Sequence, residues 1–321
     1  MYARIVGTGS YLPERTMTNA DLERLVATSD EWIRSRTGIE RRHVVAENET
    51  TLDLAERAAL RALQSANVSP EEVDLICVGT TTPDQVFPNI GCLLQRRLGI
   101  KGPPAVQVEA ACAGFIYALS VADKFIRLGD AKCALVIGAD TFTRLIDWSD
   151  RNTCVLFGDG AGAVVLKPSE QSGILSTHIH ANGDHADLLF YPTGPSKRSN
   201  PAVSNQTATH MRGGELFREA VNTMGNLVFE TLRANRIDST QIDWLVPHQA
   251  NLRIIQAIAR KLDMPMERVI VTVQDHGNTS AASVPLALDL AVRDGRIKEG
   301  QMVLMEAFGG GLTWGSALVR M

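Results

Sequence analysis

The chain has 321 residues, 45% hydrophobic and 21% charged, with a formal net charge of −4. That length buries a large core, in one big domain or in two fused halves. The charge balance excludes a globally basic nucleic-acid binder, so anion recognition must come from local clusters such as Arg34, Arg36, Arg41 and Arg42. The opening run 1–7 is too short for a secretory signal, and no apolar stretch is long enough to span a bilayer, which predicts a cytosolic protein with no membrane partner. Five cysteines (Cys77, Cys92, Cys112, Cys133 and Cys154) are odd in number and lack a C-x-x-C spacing, so free thiols are expected and neither a disulfide framework nor a zinc site.

In chain order, the patterning predicts a helix over 52–66, a turn at Asn67-Val68-Ser69-Pro70 and a strand over 73–79. A helix ending at Leu98-Gly99 leads to a strand over 105–108, then to Cys112 and a nearly all-apolar helix over 115–128, closed by Gly129. A Gly-rich, hairpin-like pair, 134–139 with 157–165, completes the first half. The same order then returns: helix 217–234, strand 242–248, a helix over 252–262, strand 269–273, Asn278, an apolar helix over 281–292, and a pair formed by 302–307 and 316–319 around Phe308-Gly309-Gly310-Gly311. Two duplicated α/β halves are expected, 1–172 and 173–321, with mostly parallel sheets. Helices apolar nearly all round belong between sheets, so the predicted fold is a five-layered α-β-α-β-α body.

Cys112 sits among Ala and Gly at a strand-to-helix junction. There it caps the helix as a thiol stabilised towards thiolate by the helix N-terminus, or it is a small buried side chain packed beneath it. His248 ends a hydrophobic strand just before a helix, a usual ligand position in α/β proteins, with a satisfied core histidine as the alternative. Asn278 lies in His276-Gly277-Asn278-Thr279-Ser280, bounded by small residues, with an ordinary helix N-cap as its alternative. The repeat brings all three toward a common centre.

Together, Ala111-Cys112-Ala113-Gly114, Phe157-Gly158-Asp159-Gly160-Ala161-Gly162, Val246-Pro247-His248-Gln249-Ala250-Asn251, His276-Gly277-Asn278-Thr279-Ser280 and Phe308-Gly309-Gly310-Gly311 resemble the β-ketoacyl-acyl-carrier-protein synthase III family, of thiolase-like fold. The resemblance runs over essentially the whole chain. It implies that Cys112 takes an acyl group from an acyl-CoA primer, that the Cys112 and Gly310 N–H groups form an oxyanion hole, and that His248 and Asn278 hold the enolate formed as malonyl-acyl carrier protein decarboxylates. Loss of one oxyanion donor typically costs about 3 kcal/mol of barrier. No cofactor and no metal are implied; acyl-CoA and malonyl-acyl carrier protein are substrates.

Cys-His-Asn distinguishes the chain from elongating synthases, which resemble this fold but use Cys-His-His. Hydroxymethylglutaryl-CoA synthases need a glutamate after the strand that here reads Val78-Gly79-Thr80-Thr81-Thr82, and none is present. Cys-His-Asn condensing enzymes of secondary metabolism, polyketide or quinolone type, are the nearest alternatives, and a cysteine acyl-thioesterase or a non-catalytic acyl-CoA binder are more distant ones.

For CoA, the resemblance implies Trp32 and Arg151 around the adenine, Arg36 and Thr37 near the phosphates, and Gly213, Ala250 and Asn251 along the pantetheine tunnel. Leu156, Leu189, Met211, Phe217 and Phe308 shape the acyl pocket, and Phe87 reaches across a homodimer to close the partner's. Basic residues on an acidic protein suit an acidic carrier, so Arg218, Gln249, Arg253 and Lys261 are the expected docking surface, with a solvated helix face as the competing account. His178-Ile179-His180 with Asp184 and His185 suggests a metal only superficially, and the Gly158–Gly162 run lacks the strand-loop-helix frame of a dinucleotide site. Glu109 has no assigned role.

Overall fold

The computed structural model describes residues 1–196 and 207–321. Its first half contains β1 (Tyr2–Tyr11), β2 (Thr16–Thr18), α1 (Asn19–Leu22), α2 (Asp30–Thr37), β3 (Arg41–His43), α3 (Thr51–Ala66), β4 (Leu75–Gly79), α4 (Ile90–Leu98), β5 (Ala105–Val108), α5 (Gly114–Leu128), β6 (Ala134–Asp140), α6 (Arg151–Cys154) and β7 (Gly160–Ser169). The second contains β8 (Ile174–Ala181), β9 (Leu189–Phe190), β10 (His210–Met211), α7 (Gly213–Asn235), β11 (Trp244–Pro247), α8 (Leu252–Lys261), α9 (Val273–His276), α10 (Ser283–Arg293), β12 (Met302–Gly309) and β13 (Thr313–Arg320).

The first sheet runs β1-β7-β6-β4-β5 and the second β11-β12-β13-β8. β4 is parallel to β5 and β6, and β11 to β12, while β1, β7, β8 and β13 pair antiparallel. The mostly parallel expectation therefore holds only at one end of each sheet, for β6, β4 and β5 and for β12 and β11. The pair β6 and β7 is also no tight hairpin, because α6 and a 3-10 turn lie between them.

Three hydrophobic clusters define the layers. One joins both sheets through α5 and α10, with Phe115, Ile116, Leu119, Val284 and Leu288 buried. A second packs α3 and α4 on the outer face of the first sheet, and a third packs α7 and α8 on that of the second. The body is thus the five-layered α-β-α-β-α fold. Each buried Phe, Leu or Ile contributes roughly 1.5–3 kcal/mol of transfer free energy, and in the central layer that burial is shared by both halves and holds them together.

The duplication has a fixed register. A shift of 169 residues carries Asn67 onto Arg236, both left-handed residues that close a helix. The same shift carries the pair Leu75 and Ala134 onto Trp244 and Val303, and Ile5 on β1 onto Ile174 on β8. The expected strand over 269–273 departs from the repeat: Val269 makes a single bridge to Leu245, and Val273 already begins α9.

Glu306 on β12 is an unexpected core residue. It is fully buried, and neither carboxyl oxygen finds a hydrogen-bond partner among the described residues. Burial pushes its carboxyl up to about 8. A carboxyl raised in the fold contributes stability that is present below its unfolded pKa and is lost as pH rises towards the folded one. Glu306→Met should therefore raise the melting temperature relative to the native protein by a margin that widens from pH 5 to pH 8. A pH-independent margin in parallel thermal melts would show that the carboxyl is not held neutral.

Candidate active site

Two copies of one turn build the site. In the first half Ala111, at φ 44°, opens the 3-10 turn Ala111–Ala113 that leads into α5; in the second, Ser280, at φ 50°, opens Ser280–Ala282 before α10. Left-handed geometry is unfavourable for Ala and Ser, and a side chain two residues upstream holds each one. Ala111 N–H donates to Glu109 Oε1 and Ser280 N–H donates to Asn278 Oδ1, each at 2.9 Å. Glu109 and Asn278 are therefore counterparts, which gives Glu109 a conformational role. The counterpart of Cys112 is Ala281, not Asn278. Cys112 itself is not the cap of α5; Ala113 holds that position without a side-chain bond.

The same shift pairs Gly79 with His248 and Gly114 with Ser283. In the first half the two glycines touch so closely that a Cβ on Gly79 would lie 2.3 Å from Gly114 C. In the second half the pair carries side chains, with His248 Nδ1 2.5 Å from Ser283 Oγ. Ser283 Oγ also accepts the Gln249 N–H at 3.3 Å, and in the tautomer in which its hydroxyl donates to Nδ1 the ring proton sits on Nε2. Asn278 is fixed by its backbone, donating to Leu156 O at 2.9 Å and accepting from Gly158 N–H at 3.0 Å. A Cβ on Gly158 would meet His276 O at 2.6 Å, so the glycine run serves this close approach. With Oδ1 spent inside the turn, the Asn278 amide nitrogen is the end left for a ligand.

A cavity of about 590 Å³ has Cys112, His248, Asn278, Phe308 and Gly309 in its wall, together with Leu156, Leu189, Met211 and Phe217. Trp32, Arg36, Thr37, Gly213, Ala250, Asn251 and Arg253 also line it. The trio is nearly dry: Cys112 is 3% exposed, His248 5% and Asn278 6%. Burial pushes the Cys112 thiol up to about 12; the neighbouring Ser280 hydroxyl, which reaches no partner at hydrogen-bond geometry, opposes this only weakly, and Asp140 and Glu109 add to the rise. A helix N-terminus supplies at most about 2 kcal/mol, roughly one and a half pK units, too little to offset that burial. Against the expected partial ionisation at rest, burial favours the thiol form of Cys112. Burial likewise pushes His248 down to about 4, so its imidazole is neutral.

Other expected residues fall elsewhere. Arg151 does not line the cavity; its guanidinium lies on the Trp32 ring, 4.7 Å from the centroid, in the place expected for a flat base, so a base entering there must displace it. Thr37 spends its hydroxyl on Ile33 O and Ile39 N–H. Gln249 is 1% exposed, its amide bound to Pro247 O, Ile270 O and the N–H groups of Thr272 and Val273, so it cannot be a docking residue. Gly310 is not in the cavity wall, although Gly309 is, and Phe87 is exposed outside its own chain's cavity. Arg218 and Lys261 are exposed, the latter donating to Val221 O at 3.1 Å. His178 and His180 both face Glu230, and among the described residues no metal-holding cluster forms.

Ser283 and the α7 wall residues Leu216, Ala220 and Met224 were not singled out from the sequence. The helical spacing of 213, 216, 217, 220 and 224 carries a signal for that wall. Ser283 carries none beyond its small size.

Family models described as 3-oxoacyl-[acyl-carrier-protein (ACP)] synthase III match residues 106–183 and, for the C-terminal part, residues 232–321. The beta-ketoacyl-[acyl-carrier-protein] synthase III of Thioalkalivibrio sulfidiphilus is 62% identical over 99% of both chains. The crystal structure of 3-oxoacyl-[acyl-carrier-protein] synthase III from Aquifex aeolicus superposes with a TM-score of 0.93 at 48% identity, covering 99% of this chain and 100% of that one. The priming beta-ketosynthase of the R1128 polyketide pathway superposes at 0.94 with 36% identity, over 99% of this chain and 96% of that one.

A resting thiol raised to about 12 gains thiolate tenfold with each pH unit below that value. Iodoacetamide alkylation of Cys112 in the unliganded protein should therefore rise log-linearly from pH 6 to pH 9. A plateau near neutral pH would mean the helix terminus does ionise it.

Proposed function

The chain belongs to the β-ketoacyl-[acyl-carrier-protein] synthase III family, and we propose that Cys112, His248 and Asn278 divide its reaction between them. The enzyme condenses an acyl-CoA primer with malonyl-acyl carrier protein, giving 3-oxoacyl-acyl carrier protein, CoA and carbon dioxide, and so initiates fatty acid synthesis. The observation that carries the residue roles is a single cavity with the trio buried in its wall and Trp32, Arg36 and Asn251 along the same wall.

In the first half-reaction Cys112 Sγ attacks the thioester carbon as its proton departs, and the CoA sulfur leaves with a proton, so no net charge is left behind. The Cys112 N–H, beside which Gly309 has no side chain, stabilises the tetrahedral oxyanion, with Gly310 N–H as its partner by family resemblance. In the second half-reaction the malonyl C–C bond breaks, carbon dioxide leaves, and the electron pair moves onto the thioester oxygen as an enolate. Neutral His248, donating from Nε2, and the Asn278 amide hold that charge; an imidazolium is disfavoured in so dry a site. The enolate carbon then attacks the acyl-Cys112 carbonyl, and the thiolate released takes up one proton. These steps need no metal or cofactor.

The primer is acetyl-CoA in this reading, with Leu156, Leu189, Met211 and Phe308 around the acyl group. A polyketide-priming role is the second reading, supported by the R1128 likeness, but the identity of 36% against 62% favours fatty acid synthesis. A homodimer is supported by β5, an unpaired sheet edge with Val106 and Val108 half-buried, and by Phe87, 82% exposed next to exposed Val86. Carrier docking falls to Arg253, over the Phe217 ring at the cavity wall, and to Arg218, with Lys261 partly occupied by Val221 O. Among the described residues no helix is long and apolar enough to cross a membrane; the cytosol is the compartment of this reading.

Asn278→Ala should still be acylated on Cys112 by acetyl-CoA, while condensation with malonyl-acyl carrier protein falls about 100-fold or more, read by intact-protein mass and product formation. Lost acylation with normal malonyl decarboxylation would reverse the assigned roles. Arg253→Glu should raise KM for malonyl-acyl carrier protein several-fold, roughly a like-charge effect that salt weakens, and leave the acylation rate at saturating acetyl-CoA unchanged; an unchanged KM for malonyl-acyl carrier protein in steady-state kinetics would remove Arg253 from the docking surface.

A further inference from the structure

The shift of 169 residues also carries Asp140, which ends β6, onto Gly309, which ends β12. Each lies against the turn of the other half. A Cβ on Gly309 would come 2.6 Å from Cys112 N, so this position leaves the Cys112 N–H to the substrate. In the counterpart Asp140 fills the space, and its Oδ2 accepts the Ala281 N–H at 3.1 Å. Asp140 Oδ1 accepts from Thr80 Oγ1 at 3.0 Å, Thr81 N–H at 2.8 Å, Thr82 N–H at 3.1 Å and Thr82 Oγ1 at 2.9 Å. The carboxyl is fully buried. Relative to Ala281 N–H it stands where a substrate oxyanion stands relative to Cys112 N–H.

We propose that Asp140 is the positioning residue for Asn278: by holding Ala281 N–H from the first half, as a built-in oxyanion, it fixes the turn Ser280–Ala282 against which the Asn278 amide is aimed. The chain of contact is short. Asp140 fixes Ala281, Ser280 precedes Ala281 in a left-handed conformation, and Ser280 N–H binds Asn278 Oδ1. Cys112 sits on the other turn and is not held by Asp140, whose charge only adds to the rise of the thiol, so its acylation is not slowed by loss of this clamp. The inference rests on the assignment of Asn278 to the second half-reaction.

The test measures both half-reactions separately in full-length protein: acetyl transfer to Cys112 from acetyl-CoA, and condensation of pre-acetylated enzyme with malonyl-acyl carrier protein. Asp140→Asn, which sets an amide nitrogen among N–H donors, should lower the condensation kcat at least about 30-fold with little change in KM, and keep acylation within about threefold. Thr80→Val, which removes one donor to Asp140 at nearly constant volume, should shift the same ratio in the same direction by less. A merely structural role would depress both half-reactions together, and that result, or no change in either, overturns the proposal. If Asp140→Asn does not fold, Thr80→Val decides alone: a selective fall in condensation supports the clamp, and an unchanged ratio overturns it. Asn278→Ala runs alongside. Normal condensation in that variant would bring down the reading of the site and the clamp with it, whereas loss in Asn278→Ala without loss in the other two removes the clamp alone.

Discussion

A backbone N–H at the start of a buried helix must find an acceptor, and the two halves of this protein meet that demand in opposite ways. Before α10, the Ala281 N–H is satisfied from within by the Asp140 carboxyl. Before α5, glycine stands in Asp140's place, and the Cys112 N–H is left beside a cavity that substrate fills. Duplication supplied two nearly superimposable turns, the central apolar layer holds them side by side, and one substitution of side chain for hydrogen separates the structural copy from the reactive one. The other swaps follow the same logic. Gly79 and Gly114 pack backbone to backbone in one half, while His248 and Ser283 use the equivalent space for a hydrogen-bonded imidazole in the other.

The electrostatics of the centre are those of a dry, neutral site. Burial holds Cys112 as a thiol and His248 as an uncharged imidazole, and Asn278 carries no charge. On the trio itself there is no resting negative charge, and in the proposed reaction it develops first on the acyl oxygen and then on the enolate oxygen. Fixed neutral donors in a water-poor cavity stabilise such charge more strongly than the same groups would in water. In the proposed division the first-half turn supplies the nucleophile and one oxyanion donor, and second-half elements supply the other oxyanion donor and the enolate donors.

Much of this was legible in the sequence where the signal is periodic. The all-apolar helices over 115–128 and 281–292 pointed to a buried middle layer, and the repeated order of elements pointed to two matching halves. The register of that match was not legible. Pairing Cys112 with Asn278 is natural by eye, but left-handed Ala111 and Ser280 set the true pairing with Ala281, and Ala and Ser give no sequence cue for φ > 0. Gln249 sits among motif residues and reads as a surface amide, yet its side chain satisfies buried carbonyl and N–H groups at the end of β11 and in the segment leading from α8 into α9. Asp140 escaped notice for a similar reason: it ends an apolar strand, and only the folded sheet brings Thr80–Thr82 and Ala281 around it.

It is the absence of a side chain at position 309 that leaves the first-half turn open to substrate. The most direct measurement is the rate of Cys112 acetylation by acetyl-CoA in Gly309→Ala, followed by intact-protein mass alongside a thermal melt. With the added methyl carbon crowding the Cys112 N–H, a folded variant should acylate about 100-fold or more slowly, the loss typical of a missing oxyanion donor. A folded Gly309→Ala that acylates at the native rate would contradict the account.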